Sequence, residues 1–258
     1  ATFTRSVGTS TETTTTAIGF QQLYAYTTAG DDTAALTASD ATQNRFYSYA
    51  DYALLTEARR SFYFYARGFD SVTATSPASQ PAYAYLYDSP GIDAFEASTT
   101  SATMDREDPW SDTIASGFAR IYAYSTGGGA DTAVLNGSAA GGNNYRGCPA
   151  YSTLYDASQS FYHYVRGFCC VTAIGSKDDP SSDRAYLYDS SGDDTFWKEF
   201  FEDDKYQGGR LTDGVTYEIW IRFFDLVYAR STDAGTTDVI DVEDENELAY
   251  NLMRFGTW

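Results

Sequence analysis

The sequence predicts an all-β protein, a parallel β-helix or β-solenoid built from about five repeats of about 50 residues. Three observations support this fold class. A motif, Gly-Phe-x-x-(aliphatic)-x-Ala, recurs in one phase and starts at Gly19, Gly68, Gly117, Gly167 and, with Gly replaced, at Phe223. Apolar and polar residues alternate over short segments, which is the period of a strand. Clusters of Gly, Asp, Ser and Asn separate these segments and are typical of turns.

A second motif, Asp-x-Ala-x-Leu, follows the first in each repeat. It ends at Leu36, Leu135 and Leu187, and variants end at Leu86 and Val242. An aromatic residue follows nine or ten positions later in four repeats, at Phe46, Phe95, Tyr145 and Phe196. Shorter Leu-to-Phe intervals, 55–62 and 154–161, predict a second, shorter coil in those repeats. The first repeat matches the third and the second matches the fourth, which indicates a true period of about 100 residues.

A coil of about 25 residues cannot bury its own inward face, so successive coils must stack around a continuous core. Equivalent inward residues then align as ladders, and the repeated Leu, Phe and Ala are the expected members. His163 occupies the position of Phe64 in the matching strand, so its ring is expected to pack in an aromatic ladder. A β-propeller, whose blades have a similar length, is the alternative fold.

Three segments are predicted along the chain. Residues 1–18 form a Thr-rich lead or cap, and a strand donated to a neighbouring subunit is another role for them. Residues 19–248 form the repetitive solenoid. Residues 249–258 form a C-terminal cap, whose aromatic and aliphatic side chains would close the exposed core of the last coil.

Composition restricts the partners. The net charge of −19, from 17 basic and 36 acidic side chains, repels phosphates and anionic membranes, so nucleic acid is not expected to bind. No apolar run of about 18 residues occurs, so the chain is not expected to span a membrane. A first residue other than Met fits either a mature protein whose signal peptide has been removed or an excised fragment. With the Tyr-, Thr- and Asp-rich composition, the sequence predicts an exported protein, extracellular or on the cell surface.

Cysteine and histidine are too few for a typical zinc site, since the chain has 3 Cys and 1 His. The odd number of cysteines predicts one disulfide, from Cys148 to Cys169 or Cys170, and one spare thiol. No cofactor is required by any motif, and calcium is the one candidate ion.

The turns 88–93, Asp-Ser-Pro-Gly-Ile-Asp, and 189–194, Asp-Ser-Ser-Gly-Asp-Asp, carry that candidate site. Calcium binds carboxylate and backbone oxygens, and Gly permits the sharp turn that presents them. The candidate ligands are Asp88, Asp93, Asp189, Asp193 and Asp194. The alternative is a structural corner in which Asp and Ser bond to their own backbone. Other acidic clusters, such as residues 105–108, are expected to be solvated turns.

No unique catalytic constellation occurs, and the sequence therefore predicts a protein that is not an enzyme. A polysaccharide-active enzyme is kept as an alternative, because parallel β-helices also carry such enzymes. Arg67, Arg166 and Arg222 share one repeat position, directly before the Gly-Phe motif or its variant. A residue that recurs with the repeat indicates a structural ladder rather than one active site.

Segments 68–95 and 167–196 follow the pattern Gly-Phe-x-x-Val-x-Ala…Leu-Tyr-Asp-Ser-x-Gly-x-Asp-x-Phe. This pattern resembles the tandem repeats of large exported surface proteins of planctomycete-type bacteria. It is also loosely similar to calcium-binding β-roll repeats, although it has fewer glycines. The resemblance implies export and a repetitive β architecture.

Alternating strands such as 62–65 place aromatic rings on both faces, and outward rings favour contacts with neighbouring subunits or glycans. The sequence therefore predicts a structural, non-catalytic subunit of a cell-surface layer or extracellular filament that self-associates. A calcium-dependent adhesin or carbohydrate-binding module is the main alternative function.

Overall fold

A computed structural model describes residues 1–7, 11–28, 31–40, 43–77, 82–107, 109, 111–177, 183–201, 206–231, 238–241 and 251–256. All regular structure in these residues is β-strand, and strands of successive coils pair in parallel as a β-solenoid. This confirms the predicted fold class, because the blades of a propeller are antiparallel. The chain divides into two compact units, Ala1–Asp131 and Thr132–Trp258, called below the N-terminal and the C-terminal unit.

The N-terminal unit has two sheets, A and B. Its strands are β1 (Thr2–Val7), β2 (Thr11–Thr16), β3 (Gln22–Tyr26), β4 (Asp31–Thr37), β5 (Asn44–Ser48), β6 (Tyr52–Glu57), β7 (Tyr63–Arg67), β8 (Ser71–Thr75), β9 (Tyr83–Tyr87), β10 (Ala94–Ala97), β11 (Ser101–Asp105), β12 (Asp112–Ser116) and β13 (Arg120–Tyr124). Sheet A has the order β2-β1-β4-β8-β12-β11-β10, and sheet B has the order β13-β9-β5-β6-β7-β3.

The C-terminal unit repeats this plan. Its strands are β14 (Thr132–Asn136), β15 (Asn143–Cys148), β16 (Tyr151–Asp156), β17 (Tyr162–Arg166), β18 (Cys170–Ile174), β19 (Arg184–Tyr188), β20 (Thr195–Phe201), β21 (Tyr206–Thr212), β22 (Glu218–Arg222), β23 (Leu226–Arg230), β24 (Val239–Asp241) and β25 (Asn251–Phe255). Sheet A has the order β14-β18-β22-β21-β20-β24, and sheet B has the order β25-β23-β19-β15-β16-β17.

The chain crosses between the two sheets, and each return adds a parallel strand. In the N-terminal unit β4, β8 and β12 stack in sheet A, and β5, β9 and β13 stack in sheet B. In the C-terminal unit β14, β18 and β22 stack in sheet A, and β15, β19, β23 and β25 stack in sheet B. Antiparallel meanders of three strands interrupt this path, β5–β7 and β15–β17 in sheet B and β10–β12 and β20–β22 in sheet A.

The prediction of a second, shorter coil in the first and third repeats is therefore wrong. The Leu55-to-Phe62 interval is a hairpin turn inside sheet B, where β6 and β7 run antiparallel. The turn closes with a hydrogen bond from Arg60 N to Glu57 O at 2.9 Å, and Arg60 has a φ of 57°. Its equivalent between β16 and β17 places Gln159 at a φ of 56°. Left-handed residues of this kind let a short loop return the chain into the same sheet.

Inward residues form the expected ladders. Leu36, Ala74 and Ala115 are neighbours on β4, β8 and β12, and each is at most 1% exposed. In sheet B the ladder Phe46, Ala84 and Ile121 alternates large and small residues, and all three are fully buried. His163 is fully buried, with its ring centroid 5.0 Å from that of Phe161, which confirms the predicted packing role.

The outermost strands of the two sheets differ. Strands β1 and β2 extend sheet A beyond β4 in antiparallel pairing, so residues 2–7 and 11–16 pair within their own chain. In sheet B of the N-terminal unit, β3 is the outermost strand and pairs with β7. In sheet B of the C-terminal unit, β25 stacks in parallel on β23. The rest of the predicted C-terminal cap, residues 249–250 and 257–258, lies outside the described residues.

Candidate functional site

The first acidic turn lies between β9 and β10, in the N-terminal unit. Asp88 directly follows β9 and Asp93 directly precedes β10, and both are buried. The backbone N–H and the hydroxyl of Ser89 both donate to the Asp93 carboxylate, the hydroxyl at 2.7 Å. Asp and Ser therefore build the corner, as the structural alternative expected.

Coil stacking adds a third carboxylate, from the following coil. Asp131, which directly precedes β14, accepts from Asp93 N at 2.7 Å and from the Ser125 hydroxyl at 2.6 Å. The same loop donates Thr126 N and Gly127 N to Asp88, at 2.7 and 2.6 Å. Carboxylate oxygens of Asp88, Asp93 and Asp131 lie within 4.8 Å of one another, and the set is called the N-terminal triad below.

The second acidic turn, in the C-terminal unit, builds an equivalent set. Carboxylate oxygens of Asp189, Asp194 and Asp238 lie within 4.8 Å of one another, and all three residues are buried. Asp194 N donates to Asp238 at 3.1 Å, which reproduces the bond from Asp93 to Asp131. This set is called the C-terminal triad.

The structure thus brings together four of the five predicted calcium ligands and adds two others. Asp193 is exposed and lies outside the C-terminal triad. Asp131 and Asp238 were not predicted, although each is the first residue of an Asp-x-Ala-x-Leu motif or its variant. That motif begins the coil that stacks on the turn, and this recurrence is the signal that could have identified them. Calcium itself stays a prediction.

A corner of the third repeat shows what is unusual about the triads. There Asn143 stands in the position of Asp93 and Asp194, and its side-chain amide donates to Asp183 at 2.9 Å. Both triads have a carboxylate in place of this amide, so two carboxylates face each other. Such a pair repels unless a proton or a cation lies between them. Burial raises the pKa of Asp131; hydrogen bonds oppose this shift, and the charges of Asp93 and Asp88 add to it.

In the N-terminal unit a buried cation already lies beside the triad. Arg106 is 3% exposed and donates to Tyr87 O at 2.5 and 2.9 Å and to the Ser48 hydroxyl at 3.1 Å. Burial lowers the pKa of Arg106 to about 10, against the opposing charges of Asp93, Asp112 and Asp88. The guanidinium is therefore still charged at neutral pH, and it offsets part of the negative charge of the N-terminal triad.

The C-terminal unit lacks this arginine at the equivalent position. In the two hairpins Ala94 pairs with Asp105 and Thr195 pairs with Thr212, so Asp105 and Thr212 are equivalent. The next residue along the chain is Arg106 in the N-terminal unit and Asp213 in the C-terminal unit. Burial would raise the pKa of Asp213, but hydrogen bonds from Thr216 and the turn backbone outweigh it and lower the pKa to about 2. The neutral hydroxyl of Tyr217 donates to Asp194 at 2.5 Å. The C-terminal triad is therefore the better candidate for a cation.

Outward tyrosines form stacked rows on sheet B. In the N-terminal unit Tyr85 stacks with Tyr47 at 4.9 Å and with Tyr122 at 5.1 Å. A second row stacks Tyr87 with Tyr49 at 4.6 Å and with Tyr124 at 5.1 Å. Burial, with the neighbouring tyrosines, raises the pKa of Tyr87 to about 12, so the Tyr87 hydroxyl stays neutral at physiological pH. The C-terminal unit has the same arrangement in Tyr186 and Tyr228, 4.6 Å apart.

The predicted disulfide is absent. None of Cys148, Cys169 and Cys170 is joined in a disulfide. Burial and the charge of Glu218 raise the pKa of Cys170 to about 11, which leaves its thiol protonated and weakly nucleophilic at neutral pH. The recurring arginines occupy the last residue of a strand, Arg67 in β7, Arg166 in β17 and Arg222 in β22.

These features define the class of the protein, a repeat β-solenoid with buried acidic corners and outward tyrosine rows. No protein-family profile, curated protein or solved structure shows significant similarity to the chain. The resemblance to planctomycete surface proteins stays a prediction. None of the described segments forms a helix long and apolar enough to cross a membrane.

Proposed function

We propose that the protein is a structural, non-catalytic subunit of a cell-surface layer or extracellular filament. The observation that supports this proposal best is the set of stacked tyrosine rows on sheet B. A tyrosine ring offers rigid apolar area with a polar tip, which suits a surface that is wet in the monomer and covered in an assembly. The rings in a row repeat with the spacing of the strands, so a partner surface with the same spacing can pack against the whole row.

The acidic surface sets the conditions for assembly. A net charge of −19 keeps isolated copies apart at low ionic strength. Salt shortens the Debye length from about 30 Å at 0.01 M to about 8 Å at 0.15 M, so copies can approach more closely as salt is added. Self-association should therefore increase with salt.

Sedimentation velocity and negative-stain electron microscopy test this function. Wild-type protein at 0.01 M NaCl should be mainly monomeric, and at 0.15 M and 0.5 M NaCl it should form filaments or layers. Replacing the central ring of one row, Tyr85→Ser, should reduce side-by-side packing, because the row loses its continuous face. Thr73→Ser, on the outward face of sheet A, is the control. A wild-type protein that stays monomeric at every salt and protein concentration would contradict the proposal.

A second candidate function, a calcium-dependent adhesin or carbohydrate-binding module, is favoured by the C-terminal triad. Three buried carboxylates without the arginine of the N-terminal unit match the oxygen-rich coordination that calcium prefers. In this proposal Asp189, Asp194 and Asp238 hold the ion and tie two successive coils together.

Calcium titration with a matched pair of variants tests this second candidate. With a dissociation constant of about 0.1–1 mM, typical of extracellular sites, 10 mM CaCl2 should stabilise the fold by about 1.5–3 kcal/mol relative to EDTA. The melting temperature should then rise by several degrees. Asp194→Asn should remove this rise and cost little in EDTA, since Asn143 already occupies the equivalent corner.

The control is Asp193→Asn, which removes the same charge from the exposed neighbouring residue and should keep the calcium response. If CaCl2 and EDTA give the same melting temperature for the wild type, the triads do not bind calcium and serve only as structural corners. A response that survives in Asp194→Asn would place calcium elsewhere.

A further inference from the structure

The outer edges of the two sheets are protected unequally. In sheet A the outermost strand of the N-terminal unit is β2, composed of Thr and Glu, and that of the C-terminal unit is β24, three residues long. Polar or very short edge strands prevent unwanted pairing. In sheet B the outermost strands are β3 and β25, with five residues each. Among the described residues no strand pairs with their outer edges.

Apolar side chains are concentrated at these two strands. Tyr24 and Tyr26 of β3 are 55% and 65% exposed, and Ile18 and Phe20 before them are 84% and 58% exposed. Met253 and Phe255 of β25 are 43% and 50% exposed. Tyr24 is covered on one side by Tyr63 and Tyr65, and Phe255 stacks on Tyr228 at 6.1 Å. Within the described part of the chain, each edge is therefore a coil with a neighbouring coil on one side only.

The corner before β3 has the same character. Gly19 has a φ of 80°, like Gly117 at the equivalent repeat position with a φ of 75°. A Cβ on Gly117 would meet the carbonyl oxygen of Ser76, from the preceding coil, at 2.0 Å. A Cβ on Gly19 would meet nothing among the described residues within 4 Å. The Gly-Phe corner is therefore built as in the other coils, but none of the described residues forms a coil over it.

A groove beside β25 is large enough to bind an aromatic side chain. It has a volume of about 540 Å³, and its lining includes Tyr186, Tyr228, Arg230 and Phe255. The lining consists of four aromatic residues, one leucine, one arginine, one serine and one glycine. A ring of the size of Tyr or Phe fits such a site and would continue the stacked rows of sheet B.

We propose that β25 of one copy pairs in parallel with β3 of a second copy, so that sheet B continues from one molecule into the next. This inference rests on the proposed assembly function and identifies the contact that lengthens the polymer. β25 runs parallel to β23 and β3 runs parallel to β7, so parallel addition continues the existing stack on both sides. In the same register Met253 lies beside Tyr24, and Phe255 lies beside Tyr26.

The contact is heterologous, since the two copies use different surfaces. Such a contact leaves a free β3 on one copy and a free β25 on the other, so it propagates until it closes into a ring or grows as a filament. Backbone hydrogen bonds give it affinity, and the rings of Tyr24, Tyr26 and Phe255 give it register. Both strands are exposed in the monomer, so changing one outward side chain should not prevent folding.

Two edge variants and their mixture test this contact. Tyr24→Lys should block β3 and leave β25 intact, and Phe255→Lys should do the reverse. Each should weaken self-association at 0.15 M NaCl by about thirtyfold or more, the effect of losing one interface hot spot. An equimolar mixture should form a dimer and nothing larger, because only the intact β25 of one variant and the intact β3 of the other can pair. Sedimentation velocity distinguishes these species.

Val215→Lys is the matched control, since it also replaces an exposed apolar residue by Lys, in a turn far along the sequence from either edge strand. It should assemble like the wild type, and circular dichroism should show that all three variants are folded. If the wild type assembles and both edge variants assemble equally well, the edge contact is wrong while the proposed function stands. If the wild type does not assemble at all, the proposed function fails, and the edge contact fails with it.

Discussion

Replacing Arg106 by methionine should destabilise the N-terminal unit by about 3–5 kcal/mol, the usual cost of removing one partner from a buried charged network. Methionine fills similar space but donates no hydrogen bond. The carbonyls of Tyr87 and Ser111 would lose their donors, and the Asp88–Asp93 corner would lose its nearby positive charge. Chemical denaturation followed by circular dichroism measures the change.

The control is Arg67→Met, which removes an arginine whose side chain is 56% exposed and which pairs with Asp51 at 3.0 Å. Surface ion pairs contribute about 0–1 kcal/mol, so this variant should stay close to the wild type. Equal losses from the two variants would contradict a special role for Arg106. Added CaCl2 should rescue part of the Arg106→Met loss if a cation can replace the guanidinium.

The second large effect is expected from Gly117→Ala. A left-handed residue other than glycine costs about 1–2 kcal/mol, and the added Cβ would also meet the Ser76 carbonyl oxygen at 2.0 Å. Backbone of the preceding coil cannot move away without breaking its own pairing. The loss in unfolding free energy should therefore exceed about 3 kcal/mol, in the range that indicates a specific structural conflict.

Gly19→Ala separates the two contributions. Gly19 shares the repeat position and the positive φ, but no described atom lies within 4 Å of its added Cβ. We expect this variant to lose only the backbone contribution, about 1–2 kcal/mol. If Gly117→Ala loses no more than Gly19→Ala, close stacking of the coils at this corner does not constrain the sequence.

The repeat phase was sufficient to predict the solenoid and its ladders. Leu36, Phe46, Leu135 and Phe196 were identified from their intervals alone, and each is at most 1% exposed. The meanders could not be predicted in the same way. An interval from Leu to Phe looks alike whether the chain crosses to the other sheet or returns within its own. The choice depends on turn residues such as Arg60 and Gln159, whose left-handed conformation leaves no clear signal in the sequence.

Only part of the candidate site could be predicted, for a similar reason. Asp88 and Asp93 belong to one turn, so sequence proximity was enough to group them. Asp131 joins them through coil stacking, 38 residues after Asp93, and spacing alone does not determine that register. Arg106 lies in an acidic segment that was expected to be solvated, yet its side chain is buried. Burial of a charge follows from the tertiary hydrogen bonds available to it, which local composition does not show.

The bond from each corner to the next coil also has a consequence for synthesis on the ribosome. The backbone N–H groups of Asp93, Asn143 and Asp194 each donate to a carboxylate that is synthesised later. The acceptors lie 38, 40 and 44 residues further along the chain, respectively. At about 5–20 residues per second, each corner stays incomplete for several seconds after it is made. The newest coil of the growing chain is thus always the least protected, and folding should lag behind translation by one coil.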